Sequence, residues 1–339
     1  LLKSCYGLKQ AGRDWFQTIK TALLKLDFSQ ADADQCVFIL VKRGKVLFIA
    51  LYVDDMACFH NSDDLMDWFW NEIEKRFKIK DLGPLHFYLG MLIQRNADGS
   101  FKISHPAYIG ELEKTYAKQL GHVRSRSIPL AAGMKLTNLG ERSAADTKFM
   151  ADKPYRALVG SLLFSSVTCR PDIATAVQRL SQNLIAPHAI HWKAALQVLA
   201  YLCGTKKDGI IYRSNKPLRG FTDSNWGGDA GFKSTSGYAI FLSGAAVAWG
   251  TKTQNAVAIS SCEAELYAAS VAVQMLLWAR MLLKDLKVKV HGATFLGEDN
   301  EGTIAALTEQ STKSRMKHIG IRKAFAMDAI NKGHVQITW

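Results

Sequence analysis

Val46-Leu47-Phe48-Ile49-Ala50-Leu51-Tyr52-Val53-Asp54-Asp55-Met56-Ala57-Cys58-Phe59 sets two apolar runs on either side of a pair of acids. The first run is rich in β-favouring residues and the second is short, so the stretch reads as a strand, a tight acidic turn and a strand. Adjacent carboxylates repel, and keeping both ionised is costly unless a cation or an arginine compensates. Mg²⁺ suits such a pair, because it takes one or two carboxylates together with substrate phosphates. Asp is equally at home in a solvated hairpin turn, so the pair alone leaves both readings open. The flanking runs place the turn at the edge of a buried sheet.

Upstream, Trp15, Phe16, Ile19, Leu23 and Leu24 recur at helical spacing within Tyr6 to Leu26. Downstream, Asn61-Ser62 reads as the N-cap of a helix carrying Leu65, Trp68, Phe69, Ile73 and Phe77. Phe87 to Ile93 reads as one strand, Asp98-Gly99 as a hairpin turn, Phe101 to Ser104 as its return, and Pro106 as the start of a helix. Gly121 to Lys153 reads as an irregular linker. Tyr155 to Val167, Pro171 to Leu184 and His191 to Tyr201 read as helices, and Gly204 to Gly209 as a loop. Beyond Leu218 the pattern becomes β-β-β-α-β-α-α-β, with a long helix from Cys262 capped by Ser260 or Ser261.

The chain has 339 residues, of which 48% are hydrophobic and 22% charged, so it can bury a sizeable core and is not disordered as a whole. Its longest strongly apolar run, Val46 to Val53, falls far short of the ~20 residues of a membrane span. Six cysteines without a C-x-x-C pair argue against a zinc knuckle or disulfide framework and for a reducing compartment. A net charge of +13 attracts polyanions, nucleic acid foremost. The opening Leu1-Leu2-Lys3, without Met or secretory signal, reads as the interior of something longer.

A second acidic set is dispersed: Asp223 after a strand, Glu263 and Glu265 on a helix, Asp299 at a strand end. Carboxylates at neighbouring strand ends and on a facing helix can converge on two metal ions ~3.5–4 Å apart. Glu263 and Glu265 lie ~200° apart around a helix, so only one points inward. Spacing alone equally allows unrelated surface acids. His188 and His191 have H-x-x-H spacing but no evident third ligand, and read as a helix-surface pair. Lys313, Arg315, Lys317, Arg322 and Lys323 form a basic face, either solvated or set against a phosphate backbone.

In these residues the chain resembles the Pol polyprotein of copia-type LTR retrotransposons, along essentially its whole length. The resemblance is carried by Ser4-Cys5-Tyr6-Gly7-Leu8-Lys9-Gln10-Ala11 with Trp15, by Tyr52-Val53-Asp54-Asp55, and by Lys80-Asp81-Leu82-Gly83-Pro84-Leu85 with Tyr88-Leu89-Gly90. It continues in Tyr155 to Leu163 with Arg170-Pro171-Asp172-Ile173-Ala174, then Ser234-Thr235-Ser236-Gly237-Tyr238, Ser260 to Glu265, Asp299-Asn300 and Lys317-His318-Ile319. It implies an α+β reverse transcriptase palm and helical thumb followed by an α/β RNase H-like domain. The expected division is a partial palm over 1–130, lacking fingers and the first catalytic strand, a linker and helical thumb over 131–215, and the RNase H-like domain over 216–339.

The resemblance also implies roles. Asp54 and Asp55 would be metal-site carboxylates of nucleotidyl transfer, and Gln10 would lie near the incoming nucleotide and template. Tyr88 and Gly90 would belong to the strand that grips the primer end, and Lys317 and His318 would contact substrate. Asp223, Glu265 and Asp299 would hold the RNase H metals, Mg²⁺ or Mn²⁺; the Glu-Leu-Tyr-Ala-Ala run selects Glu265 over Glu263. The partners implied are RNA–DNA hybrid and template–primer, with deoxynucleotides if the upstream palm is present, no membrane, and an intracellular setting in cytoplasmic particles or the nucleus.

Three departures matter. The family's first palm Asp would precede Tyr6-Gly7-Leu8-Lys9-Gln10, so the chain alone is expected not to polymerise DNA. Gly320 stands where the family has the fourth RNase H carboxylate, with Asp328 eight residues on as a weak substitute. Asn225 replaces a second Asp, and Gly12 a Pro. The alternative is therefore a decayed or co-opted remnant that binds nucleic acid without catalysis.

Overall fold

The computed structural model describes residues 4–5, 7–121, 123, 127–131, 133–137, 139–213, 216–309 and 320–339. It is a mixed α+β protein of two compact units, Leu1–Leu85 with Leu277–His291, and His86–Leu276 with Gly292–Trp339.

The first unit contains α1 (Ala11–Leu24), β1 (Ser29–Gln30), β2 (Val37–Lys42), β3 (Lys45–Tyr52), β4 (Asp55–His60) and α2 (Asp63–Glu74). The strands form an antiparallel sheet in the order β1-β2-β3-β4. Along β3, Leu47, Ile49 and Leu51 point to the core by strand alternation. They pack with Ile19 and Leu23 of α1 and Phe69 and Ile73 of α2. Ser62 caps α2 by accepting the Leu65 N–H, and Asp63 and Asp64 sit where the helix dipole favours acids. Trp278 closes the unit, its indole donating to the Ala33 carbonyl at 3.1 Å.

The second unit opens with β5 (Phe87–Tyr88), β6 (Met91–Arg95) and β7 (Phe101–Ser104). Phe87 to Ile93 is therefore a hairpin and not the single strand expected. Leu89 and Gly90 both take positive φ, 51° and 79°, the conformation of a tight two-residue turn. The chain continues through α3 (Pro106–Thr115), α4 (Ala117–Leu120), α5 (Ala144–Met150), α6 (Tyr155–Thr168), α7 (Ala174–Ser181) and α8 (Ala189–Gly204) to β8 (Gly209–Tyr212). The segment read as linker thus contains a helix, α5, capped by Ser143. Pro171–Ile173 forms a 3₁₀ turn before α7.

Strand β8, which went unrecognised in the sequence, pairs with β7 to give the antiparallel order β5-β6-β7-β8. A Cβ on Gly209 would lie 2.2 Å from the Ile103 carbonyl oxygen, so only glycine admits this pairing. The helices share a core of Ile109, Leu136, Leu158, Leu162, Val177, Leu180, Val198 and Leu199.

Arg170-Pro171-Asp172 has a physical reason. The Arg170 guanidinium is only 2% exposed. It grips Asp172 through two bonds of 3.0 and 2.7 Å and donates to the Thr205 carbonyl and hydroxyl at 3.1 and 2.7 Å. Tyr201 donates to the same carboxylate at 2.8 Å. The histidine pair is not a surface feature: His191 is buried. Its Nδ1 accepts the His188 N–H at 2.8 Å, closing a capping box, and its Nε2 meets the Leu136 carbonyl at 2.8 Å.

The remaining elements are β9 (Arg219–Asn225), β10 (Thr235–Leu242), β11 (Ala245–Thr253), α9 (Ser261–Asp285), β12 (Thr294–Gly297), α10 (Glu301–Thr308), α11 (Gly320–Asn331) and β13 (Val335–Thr338). Their sheet runs β11-β10-β9-β12-β13. β9, β10 and β11 are antiparallel, while β12 is parallel to both β9 and β13. Helix α9 buries Ala264, Leu266, Ala268, Ala269, Ala272, Val273 and Leu276. By length and composition it is apolar enough to cross a bilayer, which a search for unbroken apolar runs overlooks. Half of its most apolar stretch is buried within the protein, as a core helix requires.

Candidate functional site: two carboxylate clusters

In the first unit, Tyr52 pairs with Asp55 across the β3–β4 hairpin. The two-residue turn is thus Val53-Asp54, and Asp55 already opens β4. Val53 takes a positive φ of 52°, uncommon for a β-branched residue. The Trp15 indole N–H donates to its carbonyl at 2.7 Å, and Trp15 is backed edge-on by Phe77 at 5.4 Å. Asp54 and Asp55 are both exposed. Among the described residues, no third His, Cys, Asp or Glu closes on them. Gln10 is exposed at the N-cap of α1, making no side-chain cap bond.

In the second unit, Tyr88 is half-buried in β5 and Gly90 is exposed in the following turn. Lys317 and His318 lie outside the described residues.

The second unit also brings the dispersed acids together. Asp223, Glu265 and Asp299 each offer an oxygen, all within 4.8 Å of one another. Asp223 comes from the central strand β9, opposite Gly237 of β10. Glu265 comes from the second turn of α9, and Asp299 from the loop that leaves β12. That loop is held firmly. The Glu298 N–H donates to the Thr338 carbonyl at 3.0 Å, and Asn300 caps α10 by accepting the Thr303 N–H at 2.9 Å.

Glu263 is buried too, but at the helix start, where its Oε2 accepts the Ile259 N–H at 2.8 Å. The Glu263 N–H donates to Ser260 Oγ at 3.2 Å, so Ser260 is the capping serine.

The electrostatics of the cluster are unfavourable without a cation. Burial pushes the Glu265 carboxyl up to about 7, and the charges of Asp223 and Asp299 add to the rise. Glu298, which nothing in the sequence singles out, is 3% exposed. Burial and then Glu265 push it up to about 8. Ser224 partly offsets the rise at Glu265, but among the described residues Glu265 Oε2 and Glu298 Oε2 are buried without a hydrogen-bond partner. Asp223, Glu265 and Asp299 form an all-oxygen donor set that fits a hard divalent cation.

Gly320 is the first residue of α11, and no described residue lies within 4 Å of a Cβ placed there. Asp328 is engaged on the surface with Lys332 at 2.8 Å. Arg322 leaves the expected basic face: its guanidinium lies 3.8 Å from the Tyr267 ring centroid and donates to the Tyr267 hydroxyl at 3.0 Å.

Residues 1–132 match the family model described as reverse transcriptase (RNA-dependent DNA polymerase). The chain is 31% identical to the retrovirus-related Pol polyprotein from transposon RE2 of Arabidopsis thaliana, over 99% of this chain and 23% of that protein. It is likewise 31% identical to the Pol polyprotein from transposon TNT 1-94 of Nicotiana tabacum, over 99% of this chain and 26% of that protein. A transposon Ty5-1 protein of Saccharomyces cerevisiae is 31% identical over 79% of this chain and 86% of its own length. The chain belongs to the family of copia-type retrotransposon Pol proteins and carries their reverse transcriptase domain. It spans about a quarter of the length of the polyproteins it matches.

Proposed function

We propose that residues 216–339 are an RNase H-like module that hydrolyses RNA in RNA–DNA hybrids, with divalent cations held by Asp223, Glu265 and Asp299. Residues 1–130 are its reverse transcriptase palm and 131–215 its helical thumb. The carrying observation is the 4.8 Å convergence of three carboxylates from a central strand, a facing helix and a neighbouring strand end. The order β11-β10-β9-β12-β13, antiparallel on one side and parallel on the other, supports it.

Bound Mg²⁺ would activate a water and stabilise the leaving oxygen of the phosphodiester. Asp223 and Asp299 present ligand oxygens at the surface, where a nucleic-acid backbone reaches them. Glu265 anchors the site from the core side. The +13 net charge draws the polyanion to the protein, with Lys317 and His318 as backbone contacts. In the palm, Asp54 and Asp55 are the metal-site carboxylates, Gln10 faces template and nucleotide, and the Tyr88–Gly90 turn meets the primer end.

The test is cleavage of an end-labelled RNA–DNA hybrid in Mg²⁺ by the purified chain and by Asp223→Asn. Cleavage lost in the variant supports the reading; equal cleavage by both overturns it. Gly320 favours a second reading, a nucleic-acid-binding remnant. That reading predicts hybrid binding that weakens steeply with salt, no cleavage, and no gain in Gly320→Asp.

A further inference from the structure

Among the described residues, Glu298 is the one acid beside the cluster whose presence the triad itself does not explain. Its side chain is fixed, because Oε1 accepts the Asn300 N–H at 3.1 Å, and Asn300 is in turn locked as the cap of α10. Its backbone is fixed as well, through the bond to Thr338. The carboxylate cannot swing to solvent, and no described residue donates to Oε2. Glu265, Asp299 and Asp223 all lie within electrostatic reach. For stability alone this arrangement is adverse, since a buried carboxyl oxygen lacks a donor and stands beside three acids that oppose its ionisation. A dication between the exposed carboxylates would reverse the sign of that interaction.

We propose that Glu298 is a positioning residue for the cation site, its buried carboxylate standing behind Asp223, Glu265 and Asp299 and strengthening their hold on a divalent ion. It falls outside the set whose ligand atoms lie within 4.8 Å of one another, so it acts through those three and not as a shared ligand. This rests on the cation site proposed above.

Mn²⁺ binding to the full chain, measured by titration calorimetry, tests it alongside thermal unfolding in EDTA. Glu298→Gln keeps an oxygen for the Asn300 N–H and turns an amide donor toward the carboxylates. The expected result is Mn²⁺ affinity weakened about tenfold, the scale of outer-shell partners, with a melting temperature in EDTA equal to or above that of the parent. Opposite movement of the two readouts is what a merely structural residue would not give.

Asp223→Asn is the control for the underlying site. If the parent binds Mn²⁺, Asp223→Asn loses it and Glu298→Gln binds within twofold of the parent, the role of Glu298 is overturned and the site stands. If the parent binds no Mn²⁺, both fall. A marked drop in the EDTA melting temperature of Glu298→Gln also overturns the proposal, by making Glu298 a fold-holding acceptor.

Discussion

The indole N–H of Trp15 reaches across the first unit to the carbonyl of Val53, 2.7 Å away. This bond ties the helix that follows Gln10 to the turn that carries Asp54. It holds a β-branched residue in a left-handed conformation that its side chain disfavours.

Trp15→Phe removes the donor and keeps an aromatic ring against Phe77. The expected cost is about 1 kcal/mol, read from chemical unfolding. Amide exchange at residues 53–56 should quicken in the variant. Unchanged exchange there would show that the turn holds its shape without the indole.

Arg170→Ala strips the Asp172 carboxylate of its cation and the Thr205 carbonyl of a donor, and removes a buried side chain. A loss of about 2 kcal/mol is expected from the lost charged hydrogen bonds, seen as a lower denaturant midpoint. A change under ~1 kcal/mol would place this pair with ordinary surface ion pairs.

Gly209→Ala sets a methyl group 2.2 Å from the Ile103 carbonyl oxygen, and neither strand can move without breaking the β7–β8 pairing. Destabilisation of about 2 kcal/mol or more is expected, with exposure of the Phe101–Ser104 edge to proteolysis. A protease pattern identical to the parent's would contradict it.

His105 and His191 are buried, and burial lowers the affinity of both rings for a proton. The unfolded chain therefore takes up protons first as pH falls. Their contribution is complete above the ordinary value of about 6.5 and is lost progressively below it, toward the lower folded values. The unfolding midpoint should fall between pH 7 and pH 5, with a shallower slope in His191→Asn, which removes one of the two titrating rings. Equal slopes would remove His191 from the account.

Mg²⁺ should raise the thermal midpoint of the parent, with about 2.7 kcal/mol of stabilisation at a concentration one hundred times the dissociation constant. Asp223→Asn should melt at the same temperature with or without the ion. A parent midpoint indifferent to Mg²⁺ would argue against cation binding.

Local features were the most legible in the sequence. The β3–β4 hairpin is written in consecutive residues, and the Ser62 cap lies beside the helix it starts. The order of elements from Arg219 onward also follows from pattern alone, because each strand is bounded by its own turn. What escaped depends on distance or on context. β8 has only four residues, and its partner lies a whole helical segment upstream. Leu89 in a left-handed turn defeats the rule that expects Asn or Gly there. Arg322 read as part of a basic face because nothing nearby in sequence announces Tyr267. Glu298 has the same side chain as any surface glutamate, and only burial beside three other acids sets it apart.

The pairing of Ser104 with Gly209 means that the whole helical segment is a detour between two neighbouring strands. At ~5–20 residues per second, a ribosome leaves β7 without its partner for roughly 5–20 s. Throughout that interval the nascent chain offers an open strand edge, a template for pairing with other chains. Helices α3 to α8 must therefore form and pack early, bringing the late strand home before a neighbouring nascent chain takes its place.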